Sequence, residues 1–449
     1  MRVDMLDNTI ICEGDDLQKS LNYIDENRQL PVEIEKIILN VIFKELGLKY
    51  DKSLSIKDNL DLLPKDLLTE IIWDINTMFK GNRTIDYRDN YLAYVMYYLP
   101  VNVFKIWKPL LDLHINSTLK RDARILDVGT GPGSVPLGII EFYKKLATVY
   151  EEVDFSLEFV LVDAQNDFLR IANKIIQSVK MYLPSNLKVN LKETICTKVT
   201  AESDYNLDKF DYITMSNFLA IGEGNNSKYS YDIVSQFADK LEEDGSFIII
   251  EPGDKEHCIN LKRLRNKLVN NGKFNVYSPC VGIWEKKDNY ECSCFNTVRL
   301  RWELPNIFTY FKKNGLKHSL RKDVPFNYTV FRKDGFIKYE PITNIQHFTK
   351  LSQLRENIGS VINIVAFIRT TIYRGDYIKL ALCDGSSCYG GNIEGVWIDI
   401  PMDRFEGIGQ DIKLIAGERI KILKVLVNKG GRNTFYLNLT EESKIRIEY

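Results

Sequence analysis

One stretch limits the possible folds more than any other: RILDVGTGPG, from Arg124 to Gly133. An apolar run broken only by Asp127 gives way to glycine at alternate positions, Gly129, Gly131 and Gly133, with Thr130 and Pro132 between them. Glycine reaches positive φ without steric cost, so such a run turns the backbone sharply and brings it close to a ligand. A helical pattern follows, SVPLGIIEFYKKLATVY, then a second apolar strand, LEFVLVDAQ, then another helix, NDFLRIANKIIQSVKMYL. Further strands are expected at FDYITMSN and GSFIIIEPG. Strands alternating with helices build a parallel sheet covered on both faces. The expectation is an α/β chain whose Rossmann-like, doubly wound domain occupies residues 116–340.

The flanks have a different texture. Residues 1–115 read as helical, because LPVEIEKIILNVIFKELGL and KDLLTEIIWDINTMFKGN repeat apolar residues at three- and four-residue spacing. In YLAYVMYYLPVNVFKIWKPLLDL, Pro100 is expected to split one helix into two, with the aromatics as packing residues. Residues 355–449 alternate in short strands separated by Gly, Asp and Asn turns, from a DGS turn near the start to a closing hairpin at NKGGRN. That pattern predicts an OB-type five-stranded β-barrel. A chain of 449 residues is too long for one core and suits such a division. Its acidic N-terminus lacks the basic and apolar regions of a targeting peptide, and no apolar run approaches the ~20 residues that span a bilayer. These features predict a cytoplasmic monomer with no membrane partner. The net charge of −1 argues against a uniformly basic nucleic-acid binder, though local patches can hide in a neutral sum.

The second strand narrows the ligand. Asp163 ends it, placed to accept hydrogen bonds from ribose hydroxyls. A dinucleotide enzyme puts this acid ~20 residues after its glycines, whereas Asp163 stands more than thirty positions beyond Gly131. The loop also lacks the Gly-x-x-Gly spacing that admits a pyrophosphate. In these respects it resembles the class I S-adenosylmethionine (SAM) methyltransferases, with NAD and a fold that no longer binds cofactor as the competing readings. The resemblance makes Asp127, Gly129, Thr130, Gly131, Gly133 and Asp163 the cofactor residues, with Asp127 orienting the methionine end. Ser216 and Asn217, at the end of the fourth strand, would line the methyl-acceptor side as the catalytic candidates. Base-amine methyltransferases carry Asn/Asp-Pro-Pro-Tyr/Phe there, and Ser216-Asn217-Phe218-Leu219 makes an adenine or cytosine amine a poor acceptor. A cysteine nucleophile for C5 of a pyrimidine is also disfavoured, because a helix, LKRLRNKLVNNG, separates the fifth strand from Cys280.

The eight cysteines do not suit a disulfide framework in a reducing compartment, and three of them, Cys280, Cys292 and Cys294, lie close together in YSPCVGIWEKKDNYECSCF. Zinc is the usual occupant of clustered cysteines, but paired Cys-x(2–4)-Cys knuckles are missing and the four histidines supply none. Iron–sulfur clusters tolerate irregular spacing, and free thiols are the third possibility.

Several segments in order resemble one family: YLAYVMYYLPVNVFKIW, ILDVGTGPGSVPLGI, IIIEPG, then SPC, a Cys before Phe, and FNYTVFRKDG. Across roughly residues 85–390 they are similar to the methyltransferase-like proteins of small-ribosomal-subunit assembly, best known from mitochondria. The resemblance implies a [4Fe–4S] cluster held by Cys280, Cys292, Cys294 and Cys383 within a Cys-rich insertion, about residues 255–335, and a barrel strand. Cys388 and Cys258 are alternates for one ligand, and zinc is the alternative metal. This chain departs from the family in having Cys280-Val281-Gly282 where Cys-Pro-His is usual. The implied role of the cluster is architectural, tying the barrel to the sheet; the Cys-x3-Cys-x2-Cys loop of radical chemistry is absent. The implied partner is the small ribosomal subunit and its RNA, to which the basic segments LKRLRNKLVNNGK, YFKKNGLKHSLRKD and RTTIYRGDY could contribute. The function expected is thus a SAM-binding methyltransferase-like protein that methylates or binds ribosomal RNA. The alternatives are methylation of a protein or small molecule, or an inactive structural assembly factor.

Overall fold

Continuous apolar runs flanked by glycine turns become strands buried on both faces. In a computed structural model of the chain, the run through Ile125 forms β1 (Asp122–Val128), which pairs in parallel with β2 (Phe155–Asp163). The structure describes residues 8–12, 19–20, 22, 29–78, 91–202, 205–219, 227–285, 290–292, 296–317, 323–387, 395–405, 416–431 and 433–448. β3 (Leu187–Cys196) pairs in parallel with β2, and β4 (Phe210–Ser216) lies between β1 and β5 (Leu241–Pro252), parallel to both. Three more strands, β6 (Asn275–Ser278), β7 (Val298–Arg301) and β8 (Asp323–Arg332), complete the sheet in the order β3-β2-β1-β4-β5-β8-β6, with β7 also pairing β8. β8 runs antiparallel to β5, β6 and β7. A dinucleotide-binding sheet of order 3-2-1-4-5-6 has no such reversed strand. The order reverses between β1 and β4, and the C-terminal ends of both strands meet there.

The predicted helices form where the periodicity places them. α1 (Val32–Glu45) buries Ile34, Ile37, Ile38, Val41 and Ile42 along one stripe. α2 (Ile56–Asp61), α3 (Lys65–Met78), α4 (Tyr91–Asn102) and α5 (Trp107–Ile115) complete the N-terminal set. Contrary to expectation, Pro100 lies inside α4 instead of dividing it. Proline removes one backbone N–H and crowds the preceding turn, and here the helix continues past it for two residues with that one bond missing. The actual break is a 3-10 turn, Val103–Ile106, whose backbone packs directly on Gly138. α6 (Ser134–Val149), α7 (Asn166–Val179), α8 (Ser227–Gln236), α9 (Lys255–Asn270) and α10 (Asn306–Lys313) follow. Buried Glu35 of α1 caps α10, accepting the Ile307 amide and the Asn306 side chain, each at 3.0 Å. A carboxylate is favourable at a helix N-terminus because the unpaired amides there carry partial positive charge. A single apolar core runs from the N-terminal helices onto one face of the sheet, and a second core covers the other face.

After a linker the chain forms β9 (Val361–Arg374), β10 (Tyr377–Cys383), β11 (Gly395–Pro401), β12 (Arg419–Lys429) and β13 (Thr434–Glu448). These close a barrel in the order β10-β11-β13-β12-β9, in which only β11 and β13 pair in parallel. This is the predicted OB-type barrel, with a core of its own.

A buried square of charges joins it to the rest. Lys108 and Lys338 each contact both Asp112 and Glu418: Lys108–Glu418 at 2.6 Å, Lys338–Asp112 at 2.7 Å, Lys338–Glu418 at 2.8 Å, and the short pair Lys108–Asp112. The Tyr328 hydroxyl donates to Asp112 at 2.5 Å, and that of Tyr339 to Glu418. Two cations thus meet two anions with no side chain of the four more than 1% exposed. Burial alone would raise the Asp112 carboxyl, but Lys108 and Lys338 outweigh it and hold the group at about 2. Among the described residues, no helix is long and apolar enough to cross a membrane.

Candidate functional site

In open α/β sheets, ligands bind beyond the carboxyl ends of the strands, where the strand order reverses. Here that point is the loop after β1. The amides of Gly129 and Thr130 both donate to Val162 O of β2, at 2.8 and 3.1 Å. Gly131 N donates to Asp163 Oδ2 at 2.8 Å, while Asp163 Oδ1 accepts the Gln165 amide at 2.9 Å. Asp163 therefore braces the loop against the start of α7. Burial pushes its carboxyl above the usual carboxylate range, against the lowering pull of the Gln165 and Gly131 amides.

The three glycines serve three purposes. All have positive φ: +71° at Gly129, +53° at Gly131 and +93° at Gly133. A Cβ at position 129 would overlap the Phe218 ring, and one at 133 would press on Ala172 of α7 at 3.1 Å. At Gly131 a Cβ would meet nothing within 4 Å. Packing thus accounts for Gly129 and Gly133, whereas the space beside Gly131 opens into a cleft of about 220 Å³. Asp163, Ser216, Asn217 and Phe218 line that cleft with Gly129 and Gly131, and Phe168, Val199 and Ile233 give it an apolar wall.

Of the sequence-selected residues, Asp127, Thr130 and Gly133 stand behind the lining. Asp127 is 1% exposed; its Oδ1 accepts the Thr214 hydroxyl at 2.6 Å and its Oδ2 has no partner. Burial pushes this carboxyl up to about 6, with the Thr130 and Thr214 side chains opposing.

Sequence reasoning missed the group beside Asn217. That residue has a left-handed backbone, φ +51°, and its amide donates to Ile250 O at 2.8 Å, across the end of β5. Its Oδ1 accepts Lys105 Nζ at 3.2 Å. Lys105 comes from the 3-10 turn after α4 and is 6% exposed. Burial lowers its ammonium to about 8, while Glu251 pulls the other way. Glu251 also accepts the Leu219 amide at 3.0 Å. Since lysine only donates, the contact assigns Oδ1 of Asn217 to Lys105 and keeps its Nδ2 as a hydrogen-bond donor at the cleft. No motif marks Lys105, which is 112 positions from Asn217 in the chain.

The cysteines present a different picture. Cys280 has φ +65°; Cys383 is buried at the end of β10 and accepts the Gly385 amide at 3.4 Å. Cys292 Sγ accepts Arg265 at 2.6 Å, and Arg265 lies over the Tyr290 ring at 4.8 Å. The alternate Cys258 is fully buried and donates to Asn296 O at 3.0 Å. Trp284 Nε1 reaches Asp384 at 3.0 Å, connecting the segment after Cys280 to the end of β10. Among the described residues, no three Cys, His, Asp or Glu side chains are grouped to hold a metal ion. Cys294 and Cys388 lie outside the described residues. The described thiols alone therefore do not form a cluster or zinc site. The basic segment of α9 is also less available than its composition suggests, because Lys262 and Arg265 are buried.

No protein-family model and no curated protein matches the sequence. Several solved structures are similar in part. A Listeria monocytogenes protein assigned to the class I SAM-dependent methyltransferases shares 12% identity over 74% of this chain and 91% of its own, with a TM-score of 0.34. The plantazolicin methyltransferase BpumL in complex with SAH shares 11% over 71% of this chain and 99% of its own, with a TM-score of 0.28. A third match, the Ifi202 HINa domain in complex with double-stranded DNA, covers 27% of this chain and 59% of its own, with 14% identity and a TM-score of 0.19. These scores carry no argument by themselves. The strand order, the reversed β8 and the glycine loop give a Rossmann-like α/β domain followed by a closed five-stranded barrel.

Proposed function

We propose that the chain binds SAM in the cleft beside Gly131 and acts as a methyltransferase-like protein on RNA of the small ribosomal subunit during its assembly. One observation carries the cofactor assignment: the only loop glycine whose Cβ would meet nothing faces a cleft that also holds the acid ending β2. Asp163 would accept the ribose hydroxyls, and the open backbone at Gly131 would let the nucleoside approach. Asp127, with one oxygen unpartnered beneath the loop, would act on the methionine end through the loop backbone. The chemistry that SAM supplies when bound is an electrophilic methyl group on a sulfonium. Ser216 and Asn217 border the side from which an acceptor would approach, and Asn217 Nδ2 would donate to an acceptor carbonyl or ring nitrogen. Rate enhancement at such a site comes mainly from holding the two reactants in line. The cluster implied by the family resemblance would need Cys294 beside Cys280, Cys292 and Cys383, and iron content per purified chain measures it directly. The RNA assignment draws support from the family resemblance and the OB-type barrel.

Titration calorimetry with SAM and SAH tests the core of the proposal. Wild type is expected to bind both. Asp163→Asn, checked for unchanged thermal melting, is expected to bind about 10- to 100-fold more weakly, as for the loss of a hydrogen bond to a charged group. Failure of wild type to bind either ligand would overturn the cofactor assignment. Label transfer from methyl-labelled SAM to small-subunit RNA then separates methylation from binding alone.

A further inference from the structure

The outer face of β10, β11 and β13 carries side chains that the cleft does not use. Strand alternation sends Ile378, Leu380, Ile398 and Leu437 into the barrel core and leaves Tyr377, Lys379, Trp397 and Tyr436 outside. The register makes neighbours of them: Ala381 lies opposite Trp397, and Trp397 opposite Tyr436. Two glycines give the rings room. A Cβ at Gly395 would stand 2.8 Å from Trp397 Nε1, and one at Gly430 2.8 Å from a Tyr436 ring carbon. The indole and the phenol thus pack beside residues with no side chain, on the outer side of the barrel wall. Lys379 Nζ sits 5.2 Å from the Trp397 centroid and 4.9 Å from that of Tyr436. Arg374 and Tyr377, both exposed, are paired at the open end of the same face. Exposed Asp399 lies opposite Lys379, and exposed Asp376 sits in the turn between Arg374 and Tyr377.

We infer that this face is a stacking platform for single-stranded RNA, with Trp397 and Tyr436 each receiving a base and Lys379 and Arg374 receiving phosphates. The inference rests on the RNA reading above and gives it a location. Every base has a π face, so flat rings beside cations bind a single strand with little sequence preference. An ammonium above aromatic rings is held by their quadrupole. In the free protein Lys379 therefore occupies the ground that two bases would take. Moving it onto the backbone exchanges a cation–π contact for a phosphate contact and uncovers the rings. A protein partner would instead favour an apolar patch with few charges at its centre; here a lysine holds the centre.

The test uses the full chain and a fluorescein-labelled 12-nucleotide oligouridylate, read by anisotropy across a salt series. Wild type should bind with an affinity that falls as salt rises. Trp397→Ala and Tyr436→Ala should each weaken binding about tenfold, as expected for one lost base stack. Lys379→Gln should lower the slope of log K against log salt by about 0.7, the value for one phosphate on a single strand. Trp397→Phe, which keeps a ring, should restore most of the affinity. An unchanged thermal melt of each variant reports that its barrel is folded, and SAM binding that its cleft is intact. If wild type binds the oligonucleotide and the aromatic variants bind as tightly, the platform is wrong while the RNA reading stands. If wild type binds SAM but no RNA, both fall, and binding of a protein partner becomes the explanation of the face.

Discussion

Two regions of this molecule bury charge, and they treat it in opposite ways. At the join between domains, Lys108, Asp112, Lys338 and Glu418 form a closed square in which each charge faces two of the other sign, with tyrosine hydroxyls on both acids. Behind the cleft, Asp127 has one oxygen hydrogen-bonded to Thr214 and one without a partner, while Lys105 meets the Asn217 amide oxygen and feels the charge of Glu251. A charge removed from water costs several kcal/mol unless its partners are complete. The square meets that condition and serves structure. The cleft leaves hydrogen-bonding capacity over, which is useful only where a ligand comes to take it.

The sharpest way to break the contrast is to remove one corner of the square. Glu418→Ala leaves Lys108 and Lys338 sharing Asp112 and should lose about 3–5 kcal/mol of unfolding free energy in urea. A loss below about 1 kcal/mol would mean that water already reaches the site. Asp127 tests the other side. Its carboxyl is raised from 3.8 to about 6 in the folded chain, so between those values the native state holds a proton that the unfolded state has released. The stabilisation from that proton is complete below about pH 3.8 and is lost as pH rises through 6. Asp127→Asn abolishes this dependence: relative to wild type it should gain about 2.4 kcal/mol between pH 4 and pH 8, at 1.36 kcal/mol per pKa unit, measured by denaturant melts. Equal pH profiles would show that the buried oxygen is hydrated. The smallest effect is expected at Lys105, where burial lowers the pKa from 10.5 to about 8. Here the native state sheds its proton first, so wild-type stability should climb by about 1 kcal/mol between pH 7 and pH 9 relative to Lys105→Met. A flat difference would move Lys105 to the class of compensated charges.

These two regions were unequally legible in the amino-acid sequence. The glycine loop and Asp163 are local signals: a strand end, a tight turn and the next strand end, brought together by parallel pairing alone. The barrel could likewise be read from alternation and turns. The square could not, because Lys108 and Glu418 are 310 positions apart and each looks like an ordinary surface charge. Lys105 is hidden for the same reason, in a turn after an aromatic helix where its neighbours announce packing. Pro100 misled in the other direction, since the helix runs past it and breaks only at the following 3-10 turn, where backbone packs on Gly138. The grouping of Cys280, Cys292 and Cys294 is a closeness along the chain; of its members, Cys292 meets the Arg265 guanidinium, and Cys294 lies outside the described residues.

The closed square has a mechanical meaning as well. Parting the barrel from the sheet by even a little would expose two cations and two anions at once, so no half-open position is inexpensive. A hinge with only one setting acts as a caliper. Whatever the barrel grips is held at one constant span from the glycine loop, and the reach of the molecule is set by a dimension of the fold.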